Sequence, residues 1–387
     1  MTNLKAYVGA DIFDGHTRHT HSGLLINDGH VADIVSTSEV PNDYGVVKLD
    51  GGMLTAGFVD LQVNGGGGAM LNNAPSVDGI RAICDAHLQF GTTSLLPTLI
   101  TDTKAQTNAA IMAVKEAIAK GISGAIGLHL EGPHLSIARK GAHDPQLIRS
   151  MEDEDCRQLC ALAAELPSLL LTLAPESVTL PQISDLSTAG ATVSLGHSDA
   201  DYQTACSAAA AGATCVTHLF NAMSQLGNRT PGMVGATLDT DSLYAGLIAD
   251  GIHVDPAVIR IAQRAKQGEG RLFLVTDSMA TVGTDMREFS LGGRSILRRD
   301  GRLTLSDGTL AGADLDMISA IRFMITEIGL DAEEALRMAS LYPARLLKRD
   351  HEIGSLVAGA RADFVHLDGQ MQIKNVWREG VEFSQSE

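Results

Sequence analysis

The stretch GAIGLHLEGPH (124–134) is an apolar, strand-like run that ends abruptly in a carboxylate, Glu131. Three other runs end in the same way. ATVSLGHS (191–198) reaches His197, ATCVTHLFN (213–221) reaches His218, and LFLVTDS (272–278) reaches Asp277. In a parallel α/β barrel all strands deliver their C-terminal ends to one face, so polar side chains there share a pocket. Two imidazoles and a carboxylate suit a three-ligand metal site that keeps a position open for water. A free aspartate opposite that water is what metal-assisted hydrolysis requires.

Outward from these four, the apolar runs can be counted. They are GFVDLQ (57–62), TTSLLPT (92–98), AIGLHL (125–130), LLLTLA (169–174), TVSLG (192–196), TCVT (214–217), YAGLIA (244–249) and LFLVT (272–276). That number closes a (β/α)8 barrel. Helix-length segments separate several of them. VDGIRAICDAHLQF places Val77, Ile80, Ile83 and Cys84 on one face, and AAIMAVKEAIAK repeats Ile111, Val114 and Ile118. LDAEEALRMASLYPARLL (330–347) reads as a helix interrupted near Pro343.

Before Gly57 the pattern is different: short strands with Asp-Gly turns and no helical period. The tail, GSLVAGARADFVHLD and then MQIKNVWREGVEF, returns to strand character and is expected to fold back on the N-terminal segment. The expected architecture is α/β, a TIM-like (β/α)8 barrel over 55–345. Residues 1–54 and 346–387 would together form a small discontinuous β-sandwich domain.

Composition narrows the function. A 387-residue chain with 44% hydrophobic and 19% charged residues is an ordinary globular protein. A net charge of −17 argues against nucleic acid or an anionic membrane surface as partner. An anionic substrate group would need locally placed cations or backbone N–H groups. The five cysteines lack metal-knuckle spacing, and no basic, then apolar leader opens the chain, so a reduced cytoplasmic compartment is expected. No apolar run approaches the ~20 residues of a membrane span.

The first strand ends GFVDLQVNGGGG. Gln62 and Asn64 lie on the same side of it because side chains alternate with period two. Amides are poor ligands for zinc-like ions, so this end of the pocket points to one metal rather than two. Gln62 is expected to hydrogen-bond the metal's water, whereas Asn64 reads as satisfying backbone groups in the glycine-rich loop. His129, inside its strand, reads as packed and hydrogen-bonded. Asp277 is the candidate general base, against a plainer reading as a helix N-cap. A second polar group occupies the same loops: His143 in KGAHDP, Asn221, Ala222 and Arg229 in HLFNAMSQLGNRTPG, and Asp250 and His253 in IADGIHVD. The guanidinium fork of Arg229 suits phosphate or carboxylate, or a routine salt bridge.

Assembled, these residues resemble the amidohydrolase superfamily and, within it, the N-acetylglucosamine-6-phosphate deacetylases. The resemblance runs through TAGFVDLQVNG (55–65), HLEGP, KGAH, GHS, THLFNAM (217–223), DGIHV, TDSM, TLAGADLDM (309–317) and ADFV, spanning nearly the whole chain. It implies a carbon–nitrogen hydrolase acting on a linear amide. One divalent metal per subunit would be held by Glu131, His197 and His218, with Gln62 reaching it through water. Zinc is the default, with iron, cobalt or manganese as alternatives. It further implies Asp277 as acid/base and His253 beside the substrate carbonyl. Ala142, His143, Asn221, Ala222, Arg229, His253, Leu310, Ala311 and Gly312 would contact a phosphorylated amino sugar. A homodimer is implied as well, with the phosphate end of the site near the subunit interface. His134 departs from the pattern, standing where an aromatic or apolar residue is common.

Other readings are an N-acetylgalactosamine-6-phosphate deacetylase, a cyclic amidase or aminated-base deaminase on the same barrel, and a non-catalytic barrel scaffold. The cyclic amidases and deaminases favour His-x-His on the first strand, where this chain has Gln62-Val63-Asn64. A scaffold typically loses ligands or base, and all four are present here.

Overall fold

The computed structural model describes residues 4–383. Eight parallel strands follow one another round a single sheet in chain order. They are β1 (Phe58–Val63), β2 (Thr92–Ile100), β3 (Leu128–Glu131), β4 (Leu169–Leu173), β5 (Thr192–Leu195), β6 (Cys215–Val216), β7 (Tyr244–Leu247) and β8 (Leu272–Leu274). The sheet closes just beyond β8. Asp277 N donates to Gln62 O at 2.9 Å, and Asn64 N donates to Ser278 O at 2.9 Å. Each of the eight apolar runs contributes one strand, as their pattern predicts.

Helices cover the outside: α1 (Val77–Leu88), α2 (Lys104–Ala119), α3 (Asp153–Glu165), α4 (Leu180–Thr188), α5 (Tyr202–Ala210), α6 (Gly232–Asp239), α7 (Pro256–Ala265) and α8 (Met317–Thr326). The face of α1 buries Ile80, Ile83 and Cys84 as expected, while Val77 at its start is half-buried. In α2 the buried face is set by Ala110, Ala113, Val114 and Ala117, while Ile111 and Ile118 flank it half-buried. Small residues let that helix approach the strands closely. The helix expected to break near Pro343 breaks at Ser340 instead, between α9 (Ala332–Ala339) and α10 (Leu341–Leu346). Pro343 falls in the first turn of α10, where its missing N–H costs no hydrogen bond.

Two further sheets fit a small separate domain. One pairs strands at Leu4–Val8, Ser22–Asn27, His30–Ser36 and Gly45–Lys48. The other joins N- and C-terminal segments, with Met53–Ala56 antiparallel to Phe364–Leu367. Between them lies one apolar cluster in which Phe364 stacks on Trp377 at 4.6 Å and Tyr7 meets both rings edge-on.

An element the apolar-run count did not foresee follows β8. Strands at Glu288–Leu291, Arg294–Arg299, Arg302–Thr304 and Leu310–Ala313 form an antiparallel sheet beside the catalytic face. Its turns carry Gly292-Gly293, Asp300-Gly301 and Asp307-Gly308, the sequence signals that could have found it.

Candidate metal centre and active site

The strand ends converge as the barrel reading requires. Glu131 Oε1 lies 3.1 Å from His197 Nε2 and 3.2 Å from His218 Nε2, and the two Nε2 atoms are 3.1 Å apart. All three side chains are buried. His197 Nδ1 donates to Arg139 O at 2.9 Å, which leaves its Nε2 lone pair facing the triangle. Four tetrahedral ligands at zinc–nitrogen distance are separated by about 3.3 Å, so these three atoms match one face of a tetrahedron. Two imidazole nitrogens and a carboxylate turned on one point are a donor set for a divalent cation.

His143 stands close by, with Nε2 4.0 Å from Glu131 Oε2. With Glu131 and His197 it forms a second group whose ligand atoms lie within 4.8 Å of one another. Its Nδ1 accepts from the Thr101 backbone N–H at 3.3 Å, so Nε2 carries the proton. A protonated Nε2 donates rather than ligates, and Glu131, His197 and His218 remain the better-matched set. Burial and the neighbouring His197 push His143 down to about 3, which keeps its imidazole neutral.

Asp277 sits across the triangle, held by amides. Gln62 Nε2 donates to Asp277 Oδ1 at 3.1 Å and to Glu131 Oε1 at 3.3 Å. Asn64 Nδ2 donates to the same Asp277 oxygen at 2.7 Å. The loop-satisfying reading of Asn64 is therefore corrected: its amide grips the candidate base. Burial and the charge of Glu131 push Asp277 up to about 6. No helix follows it, so it caps nothing. Beneath it Asp60, which the sequence did not single out, accepts from Thr276 Oγ1 at 2.6 Å and ties β1 to the end of β8. His197, His218 and Asp277 all take left-handed backbone, at φ 49°, 28° and 50°. Such conformations cost about 1–3 kcal/mol each in non-glycine residues and gather at functional sites.

Below this layer His129 is packed as expected, linked to Thr172 Oγ1 at 2.8 Å and through it to Thr217 at 2.7 Å. A cleft of about 250 Å³ opens above the triangle. Asn64, Glu131, His197, His218 and Asp277 line it, together with Ala142, His143, Asn221, Ala222, His253, Leu310 and Gly312. Ala311 is fully buried against the hairpin sheet, between two neighbours that reach the cleft.

Arg229 does not reach this cleft: it is exposed in the run 225–230 and forms no ion pair among the described residues. His134 lies outside the metal cluster, lining a separate cavity of about 540 Å³ between α2 and α3, with Nδ1 3.2 Å from Arg149 O. Leucines and the Arg149–Asp155 ion pair dominate that larger cavity, and it gathers no catalytic set.

The comparisons with known proteins agree with this geometry. The pattern described as "Amidohydrolase family" matches residues 53–382. N-acetylgalactosamine-6-phosphate deacetylase of Shewanella sp. (strain ANA-3) is 42% identical over 98% of this chain and 96% of its own. The crystal structure of N-acetylglucosamine-6-phosphate deacetylase from Pasteurella multocida superimposes with a TM-score of 0.94 at 36% identity, covering 99% of this chain and 100% of that one. A mutant of the Mycobacterium smegmatis N-acetyl-D-glucosamine-6-phosphate deacetylase, solved in complex with N-acetyl-D-glucosamine-6-phosphate, gives 0.90 at 30% identity over 98% and 99%. This chain, a metal-dependent hydrolase by its lineage and its donor set, belongs to the amidohydrolase family.

Proposed function

We propose that this chain hydrolyses the acetamide of N-acetylglucosamine 6-phosphate to glucosamine 6-phosphate and acetate, a step in amino-sugar breakdown. The observation that carries the reading is Asp277, a buried carboxylate with one oxygen bound by two amides, facing the Glu131–His197–His218 triangle. A divalent ion held by that triangle, zinc by default, supplies Lewis-acid polarisation and a lowered water pKa when bound.

The residues divide the remaining work. Asp277 Oδ1 is engaged by Gln62 and Asn64, so Oδ2 takes the proton of the attacking water. The same carboxyl returns that proton to nitrogen as the amide C–N bond breaks, and the acyl carbon leaves as acetate. His253 polarises the acetamide carbonyl as negative charge develops on its oxygen. Ala142, His143, Asn221, Ala222 and the Leu310–Gly312 backbone seat the sugar. Arg229, exposed and unpaired, serves the phosphate of a neighbouring subunit's substrate in a homodimer. We assign residues 55–345 to the catalytic barrel, and 1–54 with 346–387 to the β-domain, of which 1–3 and 384–387 lie outside the described residues. The unpaired cysteines suit the cytoplasm, and no helix among the described residues is long and apolar enough to cross a membrane.

The galactosamine epimer is the second reading, favoured by the Shewanella relative. Acetate release from both 6-phosphates, run beside unphosphorylated N-acetylglucosamine, tests the assignment. Faster release from N-acetylglucosamine 6-phosphate than from the other two supports it. Faster release from the galactosamine compound moves the assignment to that sugar, and release from none of the three overturns both.

A further inference from the structure

His253 does not stand alone in the cleft wall. The loop after β7 turns back on Asp250, whose Oδ1 accepts the backbone N–H groups of Ile252 and His253, each at 2.8 Å. Its other oxygen, Oδ2, lies 2.6 Å from His253 Nδ1. The two side chains are 9% and 8% exposed. His253 lines the cleft and Asp250 does not. Burial alone would raise the Asp250 carboxyl, but its hydrogen bonds and the imidazole beside it hold it below its ordinary value. Asp250 is thus an ionised acceptor in a fixed orientation.

We propose that Asp250 is the positioning residue that sets the tautomer of His253, keeping Nδ1 protonated so that Nε2 is the ring nitrogen offered to the substrate. The geometry makes the consequence of one substitution definite. In D250N the carbonyl oxygen must stay where the two backbone N–H groups point, so the NH2 group takes the place of Oδ2. That NH2 faces Nδ1 and needs a lone pair there, which drives the ring proton to Nε2. The Asp250 carboxylate also stabilises positive charge on the ring, so the parent polarises the carbonyl as a charge-assisted Nε2–H donor. The D250N ring also donates from Nε2, but as a neutral group with no carboxylate behind it, so its hydrogen bond to the developing oxyanion is weaker. An aspartate-to-asparagine change behind a catalytic histidine lowered turnover about 10⁴-fold in a serine protease by this tautomer reversal. A positioning role beside a separate general base predicts a smaller loss.

The inference rests on the deacetylase reading for its kinetic part only. The test begins with 15N spectra of the histidine side chains in the zinc-loaded protein, with the His253 signals identified by their absence in H253N. The expected result is Nδ1–H in the parent and Nε2–H in D250N. Acetate release by D250N should then show kcat lowered at least about tenfold with KM within about threefold. A parent spectrum with a bare Nδ1 overturns the proposal, and it does so even if D250N fails to fold. An inverted tautomer with unchanged kcat overturns it too. Absence of acetate release by the parent overturns the deacetylase reading, while the parent spectrum still decides the role of Asp250.

Discussion

Asn64 Nδ2 stands 2.7 Å from Asp277 Oδ1, across the seam where β1 meets the end of β8. With Gln62 on the same oxygen at 3.1 Å, the candidate base is held by two neutral donors from one strand. A hydrogen bond to a charged group is worth about 1.5–3 kcal/mol. Asn64→Ala should lower kcat/KM roughly 10- to 100-fold on that scale, with metal content unchanged. Full activity in that variant would leave Asn64 as a loop-filling residue.

The same contact fixes a pH dependence. Burial and the charge of Glu131 hold Asp277 at about 6, while the Asn64 hydrogen bond pulls it down. The base works as a carboxylate, so activity is lost as pH falls through about 6 and protonation removes it. Removing the Asn64 donor raises the carboxyl further, so the acid limb of kcat/KM in Asn64→Ala should move to higher pH. An unmoved limb would assign it to another group.

Asp277→Asn keeps the shape of the base and removes its proton affinity. Turnover should fall by about 10²–10⁴-fold, the usual worth of general acid–base catalysis, while metal binding persists. Turnover near the parent value would sink the assignment of Asp277.

How far the sequence reaches can be seen at these residues. The barrel was legible because each strand is an apolar run that stops at a polar residue, and those endings placed Glu131, His197, His218 and Asp277 on one face. Asn64 was misread because a period-two argument gives the side of a strand but not its distance from a residue 213 positions away. The substrate role of Arg229 came from the resemblance alone, because the sequence of a loop does not say where its side chain ends up. The left-handed backbone at His197, His218 and Asp277 has no sequence signal, since none of the three is glycine. The hairpin sheet at 288–313 was legible in its Gly-Gly and Asp-Gly turns, but the barrel count drew attention to apolar runs and its strands are rich in arginine.

Glu131 is the one anionic member of the triangle, and Gln62 already donates to it. Glu131→Gln removes that charge and turns an acceptor partly into a donor among two imidazoles. Metal measured after exhaustive dialysis should fall from about one per chain toward none, and activity should follow it. Chelation of the parent should abolish activity, and added zinc should restore it. Metal retained at parent stoichiometry in Glu131→Gln would show that Glu131 is not a ligand.

Gly312 offers a test of how the hairpin sheet holds the base. Its φ is +62°, and a Cβ there would lie 2.6 Å from Met279 Cγ and 2.9 Å from Asp277 O. The adjoining Ala313 N donates to Asp277 O at 2.9 Å, so relief of that clash pushes directly on the backbone of the candidate base. Gly308, in the turn of the same sheet, shares the left-handed conformation at +86° but has nothing within 4 Å. Gly308→Ala should therefore cost only about 1 kcal/mol of stability for the backbone and leave kcat near the parent value. Gly312→Ala should add a steric cost of about 1–3 kcal/mol and lower kcat at least about tenfold. Thermal melts and acetate-release rates on the two variants separate the effects. Equal losses in both would mean that left-handed strain alone matters, and that the hairpin does not position Asp277.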